Sequence, residues 1–322
     1  MTHRFIQFAA CVIAACALSA PAAGEDWPSR PVRIVAPFAA GGTADNLGRI
    51  AAEQLSEVFQ QQFFVENRGG GGGVPAALAV SRMEPDGYNF VVSGIATHAI
   101  APAINPNSYD PVKDFTHIAY FGGPPIVFIV PTALGVKTLG ELITYAKRTG
   151  EKLTYASPGT GTSGHLVAEY FAGKAGIAIE HVPYRGAAPG VMDVMAGHLR
   201  FGSMSWTTAS GQIAAGTVVP LAVTADRRLA DYPNIPTFKE SGFDLVSTTW
   251  FALSGPPGLP NEIVERVNRE VVTAFARPEV QARLRVEQIL TEPMSPAAFG
   301  KFVEQEYLRW KPVAEQIGLR AK

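Results

Sequence analysis

The chain has 322 residues, 47% of them hydrophobic and 17% charged, with a formal net charge of −1. That length and composition suit a folded protein with a substantial core, built as two domains rather than one. Balanced charge and the lack of a long basic run exclude nucleic acid and an anionic membrane surface as partners.

The first residues read as an export leader spanning 1–24. Thr2-His3-Arg4 forms a small cationic head, and Phe5 to Leu18 is an apolar run too short to anchor in a bilayer. Ala20 and Ala22, or Ala22 and Gly24, offer the small residues of a cleavage site. Both cysteines, Cys11 and Cys16, fall in this leader, so a chain cut near residue 24 carries no disulfide, catalytic thiol or cysteine metal site. The alternative is a lipid anchor at Cys16, because Ile13-Ala14-Ala15-Cys16 has the form of a lipobox.

After the leader, β-like runs alternate with helical patterns, as in parallel α/β construction. The spacing predicts strands at 32–36, 62–66, 88–94, 126–130, 153–156, 177–183, 199–203, 218–223 and 250–254. Leu47, Ile50, Ala51, Leu55, Val58 and Phe59 share one face of a helix. Further helices are expected at 75–82, 138–148, 164–174, 187–196, 207–215, 261–276 and 296–317. The stretches 95–125 and 225–260 read as irregular and as crossings between two lobes. This gives lobe one from 25–122 plus 226–322, and lobe two from 123–225. The glycine run Gly69 to Gly73 reads as a tight turn into a helix rather than as a tether.

Two loops share one design. Val32–Ala36 runs into Pro37-Phe38-Ala39-Ala40-Gly41-Gly42-Thr43-Ala44-Asp45, and Leu153–Ala156 runs into Ser157-Pro158-Gly159-Thr160-Gly161-Thr162-Ser163-Gly164-His165. A strand that turns on glycines into a helix leaves backbone N–H groups free at the strand end, which suits an anion. Two such loops facing each other would grip a small carboxylate. The second also has the form G-x-G-x-x-G, the mark of a dinucleotide site. Against that reading, Glu180 falls inside a predicted strand instead of at its end, and the motif lies mid-chain. A hydrolase is disfavoured by the lack of a G-x-S-x-G elbow or H-E-x-x-H motif, and His165, His181 and His198 lack metal spacing.

Several segments together resemble the Bug-type periplasmic receptors of tripartite tricarboxylate transporters. They include Trp27-Pro28-Ser29-Arg30-Pro31-Val32, Gly41-Gly42 with Asp45, Val65-Glu66-Asn67-Arg68, Pro85-Asp86-Gly87-Tyr88, Asp114-Phe115, Ala156-Ser157-Pro158-Gly159 and His181-Val182-Pro183-Tyr184-Arg185-Gly186. Leu221-Ala222-Val223-Thr224 and Pro236-Thr237 complete a likeness that covers about residues 27 to 319. The resemblance implies an α/β, two-lobed periplasmic binding protein of Venus-flytrap type, with a mostly parallel, helix-flanked sheet in each lobe. It implies a monomeric receptor, not an enzyme, without metal or cofactor. Such a receptor closes over a small carboxylate and presents it to an inner-membrane permease. Family ligands are polycarboxylates, acidic amino acids or aromatic carboxylates, held largely by backbone groups and water, with one carboxylate in lobe two.

On these grounds the lobe-two contacts are expected at Ser157, Gly159, Thr160, Gly161, Thr162 and His165. Thr162 or Ser163 could instead cap the helix, and His165 could be a satisfied core residue. Lobe one would offer Phe38, Ala39, Gly42 and Asp45, unless Asp45 serves only its own helix start. Arg185 and Gly186 read as ligand contacts or as rim, and Thr97 and His98 could face the cleft. Ser203-Met204 stands where the family commonly has an acidic position facing the ligand. That removes a negative charge from the pocket and disfavours an ammonium-bearing ligand. Met204 and Trp206 then either pack against the ligand body or belong to the core.

Overall fold

A computed structural model describes residues 27–105 and 108–316. The leader, with Cys11 and Cys16, lies outside the described residues. Ten strands form two five-stranded sheets. The first orders β2 (Phe63–Asn67), β1 (Val32–Ala36), β3 (Asn89–Gly94), β10 (Phe251–Gly255) and β4 (Thr116–Gly122). The second orders β7 (Ile179–Pro183), β6 (Leu153–Ser157), β8 (Phe201–Ser205), β5 (Ile126–Pro131) and β9 (Val218–Val223). The helices are α1 (Thr43–Phe59), α2 (Val74–Ser81), α3 (Ala101–Ile104), α4 (Leu139–Thr149), α5 (Ser163–Ala175), α6 (Ala187–Met195), α7 (Trp206–Ala214), α8 (Asn261–Phe275), α9 (Pro278–Val286) and α10 (Pro296–Gln316).

Both sheets are covered on both faces, as strand alternation requires. In β1, Val32 and Ile34 pack under α1 and α8, while Val35 faces Ala76, Ala77 and Val80 of α2. In β5, Ile126, Phe128 and Val130 face one core and Val127 and Ile129 the other. The sheets are two-lobed α/β as expected, but their pairing is mixed. The pairs β1–β2, β1–β3, β6–β7 and β6–β8 are parallel, whereas β5 and β10 run antiparallel to both neighbours. The cause is connectivity. β5 and β10 each enter their sheet from the other lobe, so they start at the cleft where the parallel strands end.

Within the stretch 95–125, expected to be irregular, residues 116–122 form β4. After β9, Leu229, Ile235, Phe238 and Phe243 pack on the second sheet, and the chain rejoins the first sheet at β10. The two crossing segments run side by side. Ser247 N–H donates to the Thr224 carbonyl at 3.0 Å, Thr249 N–H to the Pro124 carbonyl at 2.9 Å, and Pro125 bridges Thr248. The approach is so close that a Cβ at Gly123 would sit 1.6 Å from the Thr249 carbonyl oxygen, so only glycine fits there.

The C-terminal helices fasten onto β4 of the first sheet. Buried Asn268 of α8 donates through Nδ2 to the Ile118 carbonyl at 2.8 Å and to the Met294 carbonyl at 2.9 Å. Asn268→Leu strands both carbonyls, and the expected loss is about 1–3 kcal/mol. Urea unfolding should show a lower midpoint at unchanged slope; an unchanged midpoint would show that these bonds do not hold the layer together.

Candidate functional site

The C-terminal ends of the parallel strands meet at one cavity between the lobes, where open α/β sheets bind ligands. About 520 Å³ of atom-free space lies there, part of it open to solvent. From lobe one come Phe38, Gly42, Thr43, Ala44, Val92, Gly94, Ile95, Ala96 and Thr97. From lobe two come Ile126, Pro158, Thr162, Ser163, Ala187 and Ser205, and the returning segment adds Thr249 and Phe251. Among the described residues, no charged side chain lines it. The walls are apolar, apart from hydroxyls and backbone.

The polarity comes from helix starts. α1, α5, α6 and α7 all open here, through Thr43, Ser163, Ala187 and the N-cap Ser205. The N-caps of α1, α6 and α7 receive no side-chain capping bond. The first N–H groups of a helix have no intrahelical acceptor and carry the positive end of its dipole. Two hydroxyl pairs close the space across the lobes: Thr43 Oγ1 lies 2.7 Å from Ser205 Oγ, and Ser163 Oγ lies 2.9 Å from Thr249 Oγ1.

Of the residues expected at the site, Phe38, Gly42, Thr97 and Thr162 line the cavity. Thr162 is also the N-cap of α5; its hydroxyl accepts from the His165 N–H at 3.4 Å and donates to the Gly159 carbonyl at 2.7 Å. Asp45 lies behind the lobe-one loop. Its carboxylate accepts from the Gly41 N–H at 2.9 Å and from Asn67 Nδ2 at 3.0 Å, and pairs with Arg49 at 3.0 Å. Burial works to raise its pKa, but the bonds from Arg49, Gly41 and Asn67 outweigh burial and hold the carboxyl below its ordinary value.

His165 plays a matching part behind the lobe-two loop. Its Nδ1 accepts from the Gly161 N–H at 3.1 Å, and its ring stacks on His181 at 4.1 Å. Ser157 is buried beneath this loop, with its hydroxyl 2.6 Å from His181 Nε2 and 3.1 Å from the Gly159 nitrogen. His98 is wholly buried against Phe115, with Nδ1 2.9 Å from Thr97 Oγ1, and burial holds it neutral. Ser203 and Met204 are fully buried in β8; Met204 packs with Val191, Val194 and Trp206 in the core under α6 and α7. Glu180 lies inside β7, as its sequence position indicates.

Ala39, Gly159, Thr160, Gly161, Arg185 and Gly186 meet at the outer seam of the closed lobes or beside it. Ala39 N–H donates to the Arg185 carbonyl at 2.8 Å. Gly69–Gly72 and Pro75 face Gly159, Thr160 and Arg185 across a surface groove. Side chains are excluded where the lobes touch. A Cβ on Gly69 would lie 2.4 Å from the Arg185 carbonyl oxygen, and one on Gly72 would lie 2.4 Å from that of Thr160. The run Gly69 to Gly73 is therefore the expected tight turn into α2, and it is also part of the lobe contact.

Sequence reasoning missed Thr43, Ser163, Ser205 and Thr249 as lining groups, and Asn67 as a loop anchor. Thr43 and Ser163 directly follow the glycine motifs, and Asn67 belongs to Val65-Glu66-Asn67-Arg68, so a signal existed for these three. Asn67 Nδ2 also donates to the Phe38 carbonyl at 3.2 Å.

The family profile described as tripartite tricarboxylate transporter family receptor matches residues 47–319. Three solved structures are similar along nearly their whole length. Rpa4515 of R. palustris, solved with adipate, is 34% identical, with 91% of this chain and 99% of that one covered and a TM-score of 0.87. The periplasmic binding protein BugD is 29% identical, with 92% and 100% covered and a TM-score of 0.87. MatC (Rpa3494) from Rhodopseudomonas palustris, solved with bound malate, is 28% identical, with 89% and 100% covered and a TM-score of 0.84. Motifs, two-lobed fold and matched profile agree, and the chain belongs to the tripartite tricarboxylate transporter receptor family, as a receptor of the Bug type.

Proposed function

We propose that this protein binds a small carboxylate, with a dicarboxylate as the favoured class, and delivers it in the periplasm to an inner-membrane permease of the tripartite tricarboxylate type. It acts as a monomeric receptor, exported by its leader, and leaves the ligand chemically unchanged. One observation carries the reading: a cavity lined by no charged side chain among the described residues, on which the starts of α1 and α5 open from opposite lobes. Each helix start is equivalent to roughly half a positive charge. A carboxylate at each would neutralise both, and the apolar walls between them suit a hydrocarbon body. The relatives solved with adipate and with malate support the class.

In this reading Phe38, Gly42, Thr97 and Thr162, with Thr43, Ser163, Ser205 and Thr249, touch the ligand or its waters. Asp45, Asn67, Ser157 and His165 hold the loops from behind. Ala39, Gly159, Thr160, Gly161, Arg185 and Gly186 belong to the closing seam, and His98, Ser203 and Met204 support the walls. Lobe one consists of residues up to 122 together with the segment after the return at 247–250, and lobe two lies between.

Thr43→Trp places an indole in the cavity and should abolish adipate and malate binding by calorimetry while the protein stays folded. Undiminished affinity for both acids would move the site elsewhere. Gly69→Ala should act chiefly on closure, because its Cβ would lie 2.4 Å from the Arg185 carbonyl oxygen of the other lobe and 3.0 Å from the Ala39 nitrogen of its own. Apparent affinity follows the fraction of molecules able to close, so a roughly tenfold loss is expected for a comparable shift in that fraction. Small-angle scattering with saturating adipate should show a more open particle for this variant than for wild type, with the free protein still folded. Identical scattering would remove the glycine run from the closing mechanism.

A further inference from the structure

The two cleft loops carry the same hook. The Gly41 N–H donates to the side chain of Asp45, and the Gly161 N–H donates to the side chain of His165, each four residues further on. The two glycines have φ of 79° and 76°. The residues after them match as well, Gly42 at φ −88°, ψ 170° and Thr162 at φ −90°, ψ 162°. A glycine at positive φ is an intrinsically loose point in a chain. Tying its N–H to the first turn of the following helix fixes where that helix starts, and with it the direction of the free N–H groups that open on the cavity.

The hooks differ in chemistry. Asp45 is an ionised carboxylate balanced by Arg49. His165 is an imidazole that accepts only while Nδ1 carries no proton. The bond from Gly161 places its proton on Nε2, which lies 3.9 Å from the Glu169 carboxylate. The titratable groups facing the ring are Glu169 from α5, His181 stacked on it from β7, and Tyr155 from β6, whose hydroxyl donates to Glu169 at 2.7 Å. His165 is itself buried.

We infer that His165 is a positioning residue for anion binding: as a neutral acceptor it holds Gly161 so that the start of α5 at Ser163 faces the cavity, and its protonation unhooks the lobe-two loop and releases the ligand. The inference rests on the carboxylate site proposed above. A protonated Nδ1 is a donor, so the bond to Gly161 becomes a meeting of two donors. The lobe-one hook has no such switch in the same range, because its carboxyl is held below its ordinary value. Burial, with His181 adding to it, lowers the His165 imidazole from 6.5 to about 4, and burial lowers His181 to about 4 as well. A group depressed on folding contributes its full stability above its unfolded pKa and loses it as the pH falls through the folded one. The hook's contribution to stability is therefore full above about pH 6.5 and declines below it, and the bond itself is lost from the folded protein as the pH falls through about 4.

The test compares wild type with His165→Leu and His165→Asn. Asparagine offers an acceptor oxygen near the position of Nδ1 and takes up no proton. Amide hydrogen exchange over residues 157–165, without ligand, should show Gly161 protected in wild type near neutral pH and released as the pH falls toward about 4. Protection should persist across that range in His165→Asn and be absent throughout in His165→Leu. Calorimetry with adipate should show roughly tenfold weaker binding for His165→Leu, the equivalent of one lost hydrogen bond, and near-wild-type binding without the acid step for His165→Asn. Gly161 protected equally in His165→Leu, a wild-type protection that does not respond to acid, or His165→Asn behaving like His165→Leu would each overturn the inference. The predicted exchange pattern in a wild-type protein that binds neither adipate nor malate would leave the hook standing and overturn the carboxylate reading instead.

Discussion

Everything at the cleft depends on one electrostatic constraint: helix starts from both lobes open on the same cavity, and, among the described residues, no charged side chain lies between them. Free N–H groups buried without a partner are costly, so the closed cavity needs acceptors. In the structure the cross-lobe hydroxyl pairs Thr43–Ser205 and Ser163–Thr249 meet there. They supply dipoles, not charge. Among the described residues, no charge within the cavity compensates the positive ends of the helices, and in the carboxylate reading proposed above an anion would supply it, which would couple binding to closure.

The fold delivers this arrangement through connectivity. Because β5 and β10 come across from the opposite lobe, each begins at the cleft, and Ile126 and Phe251 at their starts form part of its wall. The two crossing segments, paired at Ser247–Thr224 and Thr249–Pro124, run so close that residue 123 must be glycine. A short, paired double crossing restricts the lobes to hinge-like motion about one line. That restriction explains why backbone can meet backbone at the far seam, where Gly69 and Gly72 approach carbonyls of lobe two.

Much of this was legible in the sequence, and the parts that were not share a cause. Strand–glycine–helix loops announced themselves locally, because the need for positive φ at Gly41 and Gly161 leaves glycine in the chain. The helix α1 showed its apolar face by periodicity. Strand β4 was hidden because Pro102, Pro111 and Gly122–Gly123 crowd its flanks and the whole stretch reads as a turn region. Residues 229–243 have no strong periodicity, so only packing reveals that they stay with the second sheet. Ser205 and Thr249 reach the cavity through contacts with residues 162 and 86 positions away, respectively. No local pattern encodes such distances. Met204 shows the remaining difficulty: alternation along β8 places it in the opposite core from Phe201, whereas Ser205, one residue on, reaches the cavity. A single-residue offset separates wall from core.

The chemistry behind the two loops is unequal. Behind the lobe-one loop, the Asp45 carboxylate already offsets part of the positive field of α1, and Arg49 offsets Asp45 in turn. Behind the lobe-two loop sits an uncharged imidazole, with the Glu169 carboxylate 3.9 Å beyond it and the Thr162 hydroxyl capping the His165 N–H, so the start of α5 is also partly offset. The walls at Val92, Ile95, Ile126 and Phe251 exclude water and keep the local dielectric low, which strengthens both fields. In the carboxylate reading proposed above, each helix start would seat one carboxylate, and an ammonium group would meet a positive helix end that repels it.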